Sequence, residues 1–239
     1  MNVDRQLVIR RLGISLALVC GGALGARDLE FTATGISMPF FDAGGKLTHR
    51  LTAQQGAKAG ELQNLRTVEL VYFSPAEPNV IVQKLIANDA TWDARREILA
   101  GRGPIVVATE QNRITGDGFD FALATSLLHV QRDFKMENSE LVVTSDRATV
   151  ELIVQRAGEA VRVSDVNRCE AVGHLEIVVQ PTAKKRYEFV RAFSELATYD
   201  GSTQKIELPQ PIRYRRKDGS EAHSNRLTID LAPKPPAKK

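Results

Sequence analysis

Between Gly103 and Val154 apolar and polar positions alternate in short runs: Ile105/Val107, Phe119/Phe121, Leu128/Val130, Phe134/Met136 and Leu141/Val143. The last run starts at the small Ala148 and continues through Val150, Leu152 and Val154. A period of two over several separate runs predicts strands with one buried face, because successive side chains of a strand point to opposite sides of the sheet. Turn formers separate the runs at Thr115-Gly116-Asp117-Gly118, Glu137-Asn138-Ser139 and Thr144-Ser145-Asp146. The charged Arg132, Asp133 and Lys135 interrupt the strand that carries Phe134 and Met136. His129, set between Leu128 and Val130, is expected on the opposite face.

The same texture covers the rest of the chain. Asp42-Ala43-Gly44-Gly45 is turn chemistry, and its flanks, Phe40-Phe41 and Leu47 to Ala53, predict a hairpin. Thr67 to Phe73 reads as a strand, Ser74 to Asn79 as its turn and Val80 to Ile86 as the return. Further strands are expected at Val161–Val163, Gly173–Val179, Tyr187/Phe189, Ile206/Leu208 and Leu227–Leu231. Lys217-Asp218-Gly219-Ser220 is a tight turn, and Pro209 and Pro211 mark a strand end or a sheet edge. An aromatic followed by Asp recurs at Phe41-Asp42, Trp92-Asp93, Phe119-Asp120 and Tyr199-Asp200, each ahead of an apolar strand. That recurrence suggests a repeated hairpin unit, or simply a habit of strand ends before turns. No long amphipathic helix follows residue 27. The expected class is all-β and antiparallel.

Composition refines this picture. At 239 residues the chain suits one large β domain or two small ones. A content of 43% hydrophobic and 26% charged residues is that of a globular protein. The formal charge of +3 is slight and sits partly near the two ends, so nothing points to nucleic acid. Residues 1–26 read as a targeting segment: Arg5, Arg10 and Arg11 precede the apolar stretch Leu12 to Ala26, which ends in small residues at Ala23-Leu24-Gly25. The stretch is shorter than the roughly 20 residues of a membrane span. A cleaved secretory signal is expected, with an uncleaved N-terminal anchor as the alternative. Cys20 follows an apolar run as a lipidated cysteine does, but the bulky Val19 before it argues against lipidation. Without Cys20, Cys169 is alone and reads as a small buried apolar residue. Residues 232–239 have the composition of a disordered tail.

Candidate chemistry is sparse. The four histidines, His49, His129, His174 and His223, are scattered, and none has a second His at metal-ligand spacing. Asp117, Asp120 and Asp146 lie near turns, where Asp is expected for structural reasons. Neither Gly101-Arg102-Gly103-Pro104 nor Gly116-Asp117-Gly118 has the Lys-Ser/Thr of a phosphate loop, and no G-x-S-x-G element occurs. The expectation is a non-enzymatic protein with no cofactor and no metal. Lys184-Lys185-Arg186 and Arg213, Arg215, Arg216 and Lys217 suit the phosphates of a lipid headgroup or the solvated face of a strand.

These residues carry a family resemblance. Pro39 to Ala53 (PFFDAGGKLTHRLTA) resembles the opening strand–turn–strand of the LptC family of lipopolysaccharide export proteins. Ile98 to Met136, with Gly103 and Gly118-Phe119-Asp120, is similar to that family's repeated strands. Residues 170–231 look more like the related LptA/OstA module, with Ala-Thr-Tyr-Asp, an apolar strand and a final Asp-Gly turn. The likeness spans roughly 35 to 231. The short N-terminal apolar run departs from the transmembrane helix of LptC members, and the chain is longer than a single module.

The resemblance implies an open β-jellyroll whose V-shaped interior holds acyl chains. On that basis residues 28–165 form an LptC-like jellyroll and 166–231 an LptA/OstA-like continuation. Lipopolysaccharide is the expected ligand, in the periplasm, with a possible inner-membrane anchor. The implied partners are an inner-membrane ABC transporter complex and other β-jellyroll bridge proteins, joined edge to edge, with edge-to-edge oligomers possible. Burial of acyl chains is worth about 0.8 kcal/mol per methylene, which calls for a long apolar trough. Candidate lining residues are Ile105, Val107, Phe119, Phe121, Leu128, Val130, Phe134, Leu141, Val143, Val150, Leu152 and Val154. Alternation alone fits a closed sandwich core equally well, as in a periplasmic structural or adhesion protein that transfers no lipid. Strand edges near Ile36 and Phe40 at one end, and Leu227 and Ile229 at the other, are the candidate partner surfaces.

Overall fold

Alternating residues become strands along nearly all of the described chain, which in this computed structural model comprises residues 31–59, 61–77, 80–152, 166–183, 187–209 and 211–232. The strands are β1 (Phe31–Phe41), β2 (Leu47–Ala59), β3 (Leu62–Phe73), β4 (Ile81–Asp93), β5 (Ile98–Thr109), β6 (Arg113–Ala122), β7 (Leu127–Glu137), β8 (Leu141–Ser145) and β9 (Arg147–Leu152). They continue with β10 (Val166–Val179), β11 (Phe189–Asp200), β12 (Lys205–Leu208), β13 (Ile212–Arg216), β14 (Glu221–Ser224) and β15 (Leu227–Asp230). A single 3-10 turn, Pro181–Ala183, is the one described helical piece. The residues form one antiparallel 15-stranded sheet, folded as an open β-jellyroll, in the order β1-β2-β3-β4-β5-β6-β7-β8-β10-β11-β12-β15. The segment at 1–26, Val154, the strand expected at Val161–Val163, the basic run Lys184-Lys185-Arg186 and the tail beyond Ala232 lie outside the described residues.

The sheet is creased along one line. Ladder pairing breaks at Gly35 opposite Gln54, at Thr67 opposite Asn88, and at Arg102-Gly103. It breaks again at Gly116, at Asp133, at Asp146 between β8 and β9, and at Gly173-His174. Gly35, Thr67, Gly118, Asp133, Gly173 and His174 on this line have positive φ, whereas Gly45, Glu97, Ser126, Gln204 and Gly219 serve hairpin turns. A bulge bends its strand and increases the local twist. Register shifts mark bulges on this line between β4 and β5, β5 and β6, β6 and β7, and β10 and β11, whereas from β1 to β4 the pairing is interrupted without a shift. Interruptions aligned on successive strands bend the whole sheet, so the long hairpins fold into two plates. One plate ends at the turns near 42–46, 74–77, 110–112 and 138–140. The other ends at those near 94–97, 123–126 and 201–204.

The crease corrects two local expectations. Thr144-Ser145-Asp146 is a kink rather than a chain reversal: β8 and β9 run on in one direction, both antiparallel to β7 and β10. Asp133 bulges β7 without ending it, and Phe134 and Met136 remain buried. The aromatic–Asp recurrence is not a uniform repeat either. Asp42, Asp93 and Asp200 accept backbone N–H bonds that close hairpin turns, at 2.9 Å from Gly44, 3.0 Å from Arg95 and 2.8 Å from Ser202. Asp42 sits at the opposite rim from the other two. Asp120 lies inside β6 and accepts a bond from Gln131 at 3.0 Å.

At the C-terminal side the sheet divides along the crease. One part of β11 pairs with β12, which leads to β15, and the other pairs with β13, which leads to β14. The chain crosses between plates at Pro209 and Pro211, where a missing N–H costs no ladder bond. The ladder is continuous across the two regions expected from sequence, since β10 pairs with both β8 and β9. Outer faces carry charge pairs such as Lys84–Glu69 at 2.9 Å and Arg132–Asp117 at 2.6 Å.

Candidate functional site

The two plates meet through their apolar faces. Ile105, Val107, Phe134, Leu141 and Val143 project from one plate, and Phe119, Phe121, Leu128, Val130, Val150 and Leu152 from the other. All of these belong to one contiguous buried cluster. His129 points away, exposed, and shares a 3.0 Å hydrogen bond with Thr149 Oγ1. Contact between the rims on the N-terminal side is aromatic. Tyr72 of β3 meets Phe121 of β6 edge-on at a centroid distance of 6.4 Å, and Phe40 of β1 meets Trp92 of β4 at 5.9 Å. The interior is packed: Phe119, Phe121 and Leu128 are 0% exposed.

On the C-terminal side, where the sheet divides, the rims stand apart. A cleft of about 390 Å³ opens there, within the size range of ligand pockets. Met136, Leu141 and Val143 line it from one plate, and Tyr199, Ile206 and Leu231 from the other. Polar residues also line it, Glu110, Ser139, Glu140 and Gln204 on its more exposed side. Asn138 Oδ1 accepts the backbone N–H groups of Glu140 and Leu141, each at 2.9 Å, which holds the lip of the cleft in a turn. An apolar floor under a polar rim suits an amphiphile.

A larger hollow of about 930 Å³ lies on the outer face of the second plate, beside the crease. Six of its polar residues are already paired across strands: Arg66 with Asp89 at 3.7 Å, Thr91 with Asn64 at 3.2 Å and Gln131 with Asp120 at 3.0 Å. Groups satisfied by each other gain little from a ligand.

Three polar residues, the half-buried His49 and the buried Tyr72 and Gln83, were not legible as a group in the sequence. His49, Tyr72 and Gln83 are direct cross-strand neighbours on β2, β3 and β4 and face the interior. Burial pulls the His49 imidazole down to about 4 and drives the Tyr72 phenol upward, helped by the charge of Glu97. Both side chains are therefore neutral at pH 7. Burial, with the charge of Glu170, pushes the Cys169 thiol up to about 12, as expected of a packing residue. Among the described residues no three His, Cys, Asp or Glu side chains converge on a metal position, and no helix is long and apolar enough to cross a membrane.

The candidate partner residues lie on the outermost strands. Among the described residues β1, with Ile36 and Phe40, pairs only with β2, and β15, with Leu227 and Ile229, only with β12. Ile36, Phe40 and Leu227 pack against the core and Ile229 is buried in it, so these edges offer backbone rather than side chains. No family model matches the chain, and no curated protein matches it.

Proposed function

We propose that this protein is a periplasmic lipopolysaccharide-binding component of an export machinery, carrying acyl chains in its apolar interior between the inner and outer membranes. The observation that carries this reading is the cleft between the plates, which Met136, Leu141 and Val143 of the buried cluster line. An acyl chain laid there replaces water on apolar walls, while the polar rim stays with the headgroup. The resemblance in sequence to the LptC and LptA/OstA proteins points the same way. On this reading the free backbone of β1 and of β15 adds strands from other β-jellyroll bridge proteins and from an inner-membrane ABC transporter complex. Transport itself is non-catalytic in this chain.

A second reading has an observation in its favour. Full enclosure of Phe119, Phe121 and Leu128 is what a structural β-sandwich without lipid transfer would have. A photo-crosslinking amino acid placed in cells at Val143, at Phe121 and at His129 separates the two. Covalent lipopolysaccharide at Val143 and Phe121, absent at His129, is the carrier's result. Lipid at none of the three sinks the carrier reading and leaves the sandwich.

A further inference from the structure

The His49–Tyr72–Gln83 row is chemically incomplete. His49 Nε2, Tyr72 Oη and Gln83 Nε2 are each buried with no hydrogen-bond partner among the described residues. Tyr72 is 3% and Gln83 4% exposed, so bulk water does not serve them. Buried polar side chains are nearly always paired, and three adjacent exceptions in one ladder row call for a reason.

The row's own geometry says what it lacks. The imidazole of His49 is held in a stack between Phe40, at a centroid distance of 4.2 Å, and Tyr72, at 4.9 Å. Its Nδ1 lies 2.9 Å from Thr48 Oγ1, whose single proton goes to the Phe40 carbonyl at 3.1 Å. Nδ1 is then the protonated nitrogen, and Nε2 is a bare acceptor. Gln83 Nε2 is a pure donor, and the Tyr72 hydroxyl both gives and accepts. An acceptor, a donor and a two-way group side by side match a ligand hydroxyl, which donates one hydrogen bond and accepts others. They do not match an anion. The row holds no cation, and the charge felt at Tyr72 is the carboxylate of Glu97.

We infer that the His49–Tyr72–Gln83 row binds the hydroxyl group of a hydroxylated acyl chain lying between the plates. This inference rests on the carrier reading above and narrows its substrate class. It places recognition inside the apolar interior, at the aromatic rim, where a plain acyl chain would leave all three polar groups unpaired.

Trp92, the only tryptophan of the chain, touches Phe40 at one end of the stack and reports on the site. The full chain is titrated with β-hydroxymyristate and with myristate, both below their micelle concentrations, and Trp92 fluorescence is followed. The hydroxylated acid should bind at least about tenfold more tightly, since a site built around a hydroxyl rejects the analogue that lacks it. Tyr72→Phe and Gln83→Leu should each bring the ratio of the two affinities closer to one. Equal binding of the two acids by the native chain overturns the hydroxyl site while the carrier reading stands. Failure of both acids to bind overturns the two together. Melting of the unliganded variants gives a second check, because replacing an unpartnered polar group by an apolar one of similar shape should raise the melting temperature. A lower melting temperature in both variants would show that these groups have partners, and the site would fall.

Discussion

Replacing Phe121 by Ala asks directly whether the two plates are pressed together. In the structure this ring is fully enclosed. Leu99 and Leu128 lie opposite it on neighbouring strands of its own plate, and Tyr72 covers it from the other plate at 6.4 Å. Truncating a buried Phe to Ala removes its transfer free energy and leaves a cavity, together about 3–5 kcal/mol. Were the plates splayed, only the two cross-strand pairs would be lost, at about 0.2–1 kcal/mol each. The two geometries therefore differ clearly. For a chain of this length each kcal/mol moves the melting temperature by roughly 2–4 °C, so a drop of about 6–20 °C is expected. Urea unfolding should give the same loss with an unchanged dependence on denaturant, since the native fold is kept. A loss below about 2 kcal/mol would refute packing between the plates and leave an open trough.

Two further outcomes follow from the crease and from the half-buried histidine. Gly173 has φ of +82° and a Cβ there would overlap the Asp146 side chain, so Gly173→Ala should cost about 1–3 kcal/mol by urea unfolding; an unchanged midpoint would show that the bulge does not need glycine. Burial holds the His49 pKa at about 4 against 6.5 when unfolded, so below pH 6.5 the unfolded chain binds a proton that the folded chain refuses. Stability should therefore be complete above pH 6.5 and fall by about 3 kcal/mol as the pH drops to 4. His49→Phe should flatten that part of the profile, and an equally steep profile in the variant would assign the loss to other groups.

Much of the sheet was legible because alternation is local. Leu128/Val130 and Leu141/Val143 declare their buried face without reference to any other strand, and Asp42-Ala43-Gly44-Gly45 declares its turn. The crease was not legible, because a bulge changes direction while keeping the strand. Asp133 and Thr144-Ser145-Asp146 read as interruption and turn, and only the pairing of β7 and β10 with both β8 and β9 shows that the chain continues. The inner face was likewise readable as a set of residues. Whether it is packed throughout, as at Phe121, or borders a cleft, as at Val143, depends on how far the plate rims stand apart, which no residue pattern records. His49, Tyr72 and Gln83 are far apart in sequence, and each alone is ordinary. Register makes them neighbours.

The crease also sets what separation of the plates would cost. Bending there falls where ladder pairing is already interrupted, so the plates can move apart without unzipping either one. The resistance is then almost wholly the hydration of apolar surface, whose signature is a positive change in heat capacity rather than a large enthalpy of broken bonds. Such resistance weakens on cooling while backbone hydrogen bonds persist. Cold would therefore loosen the two plates from each other before it unravels any strand.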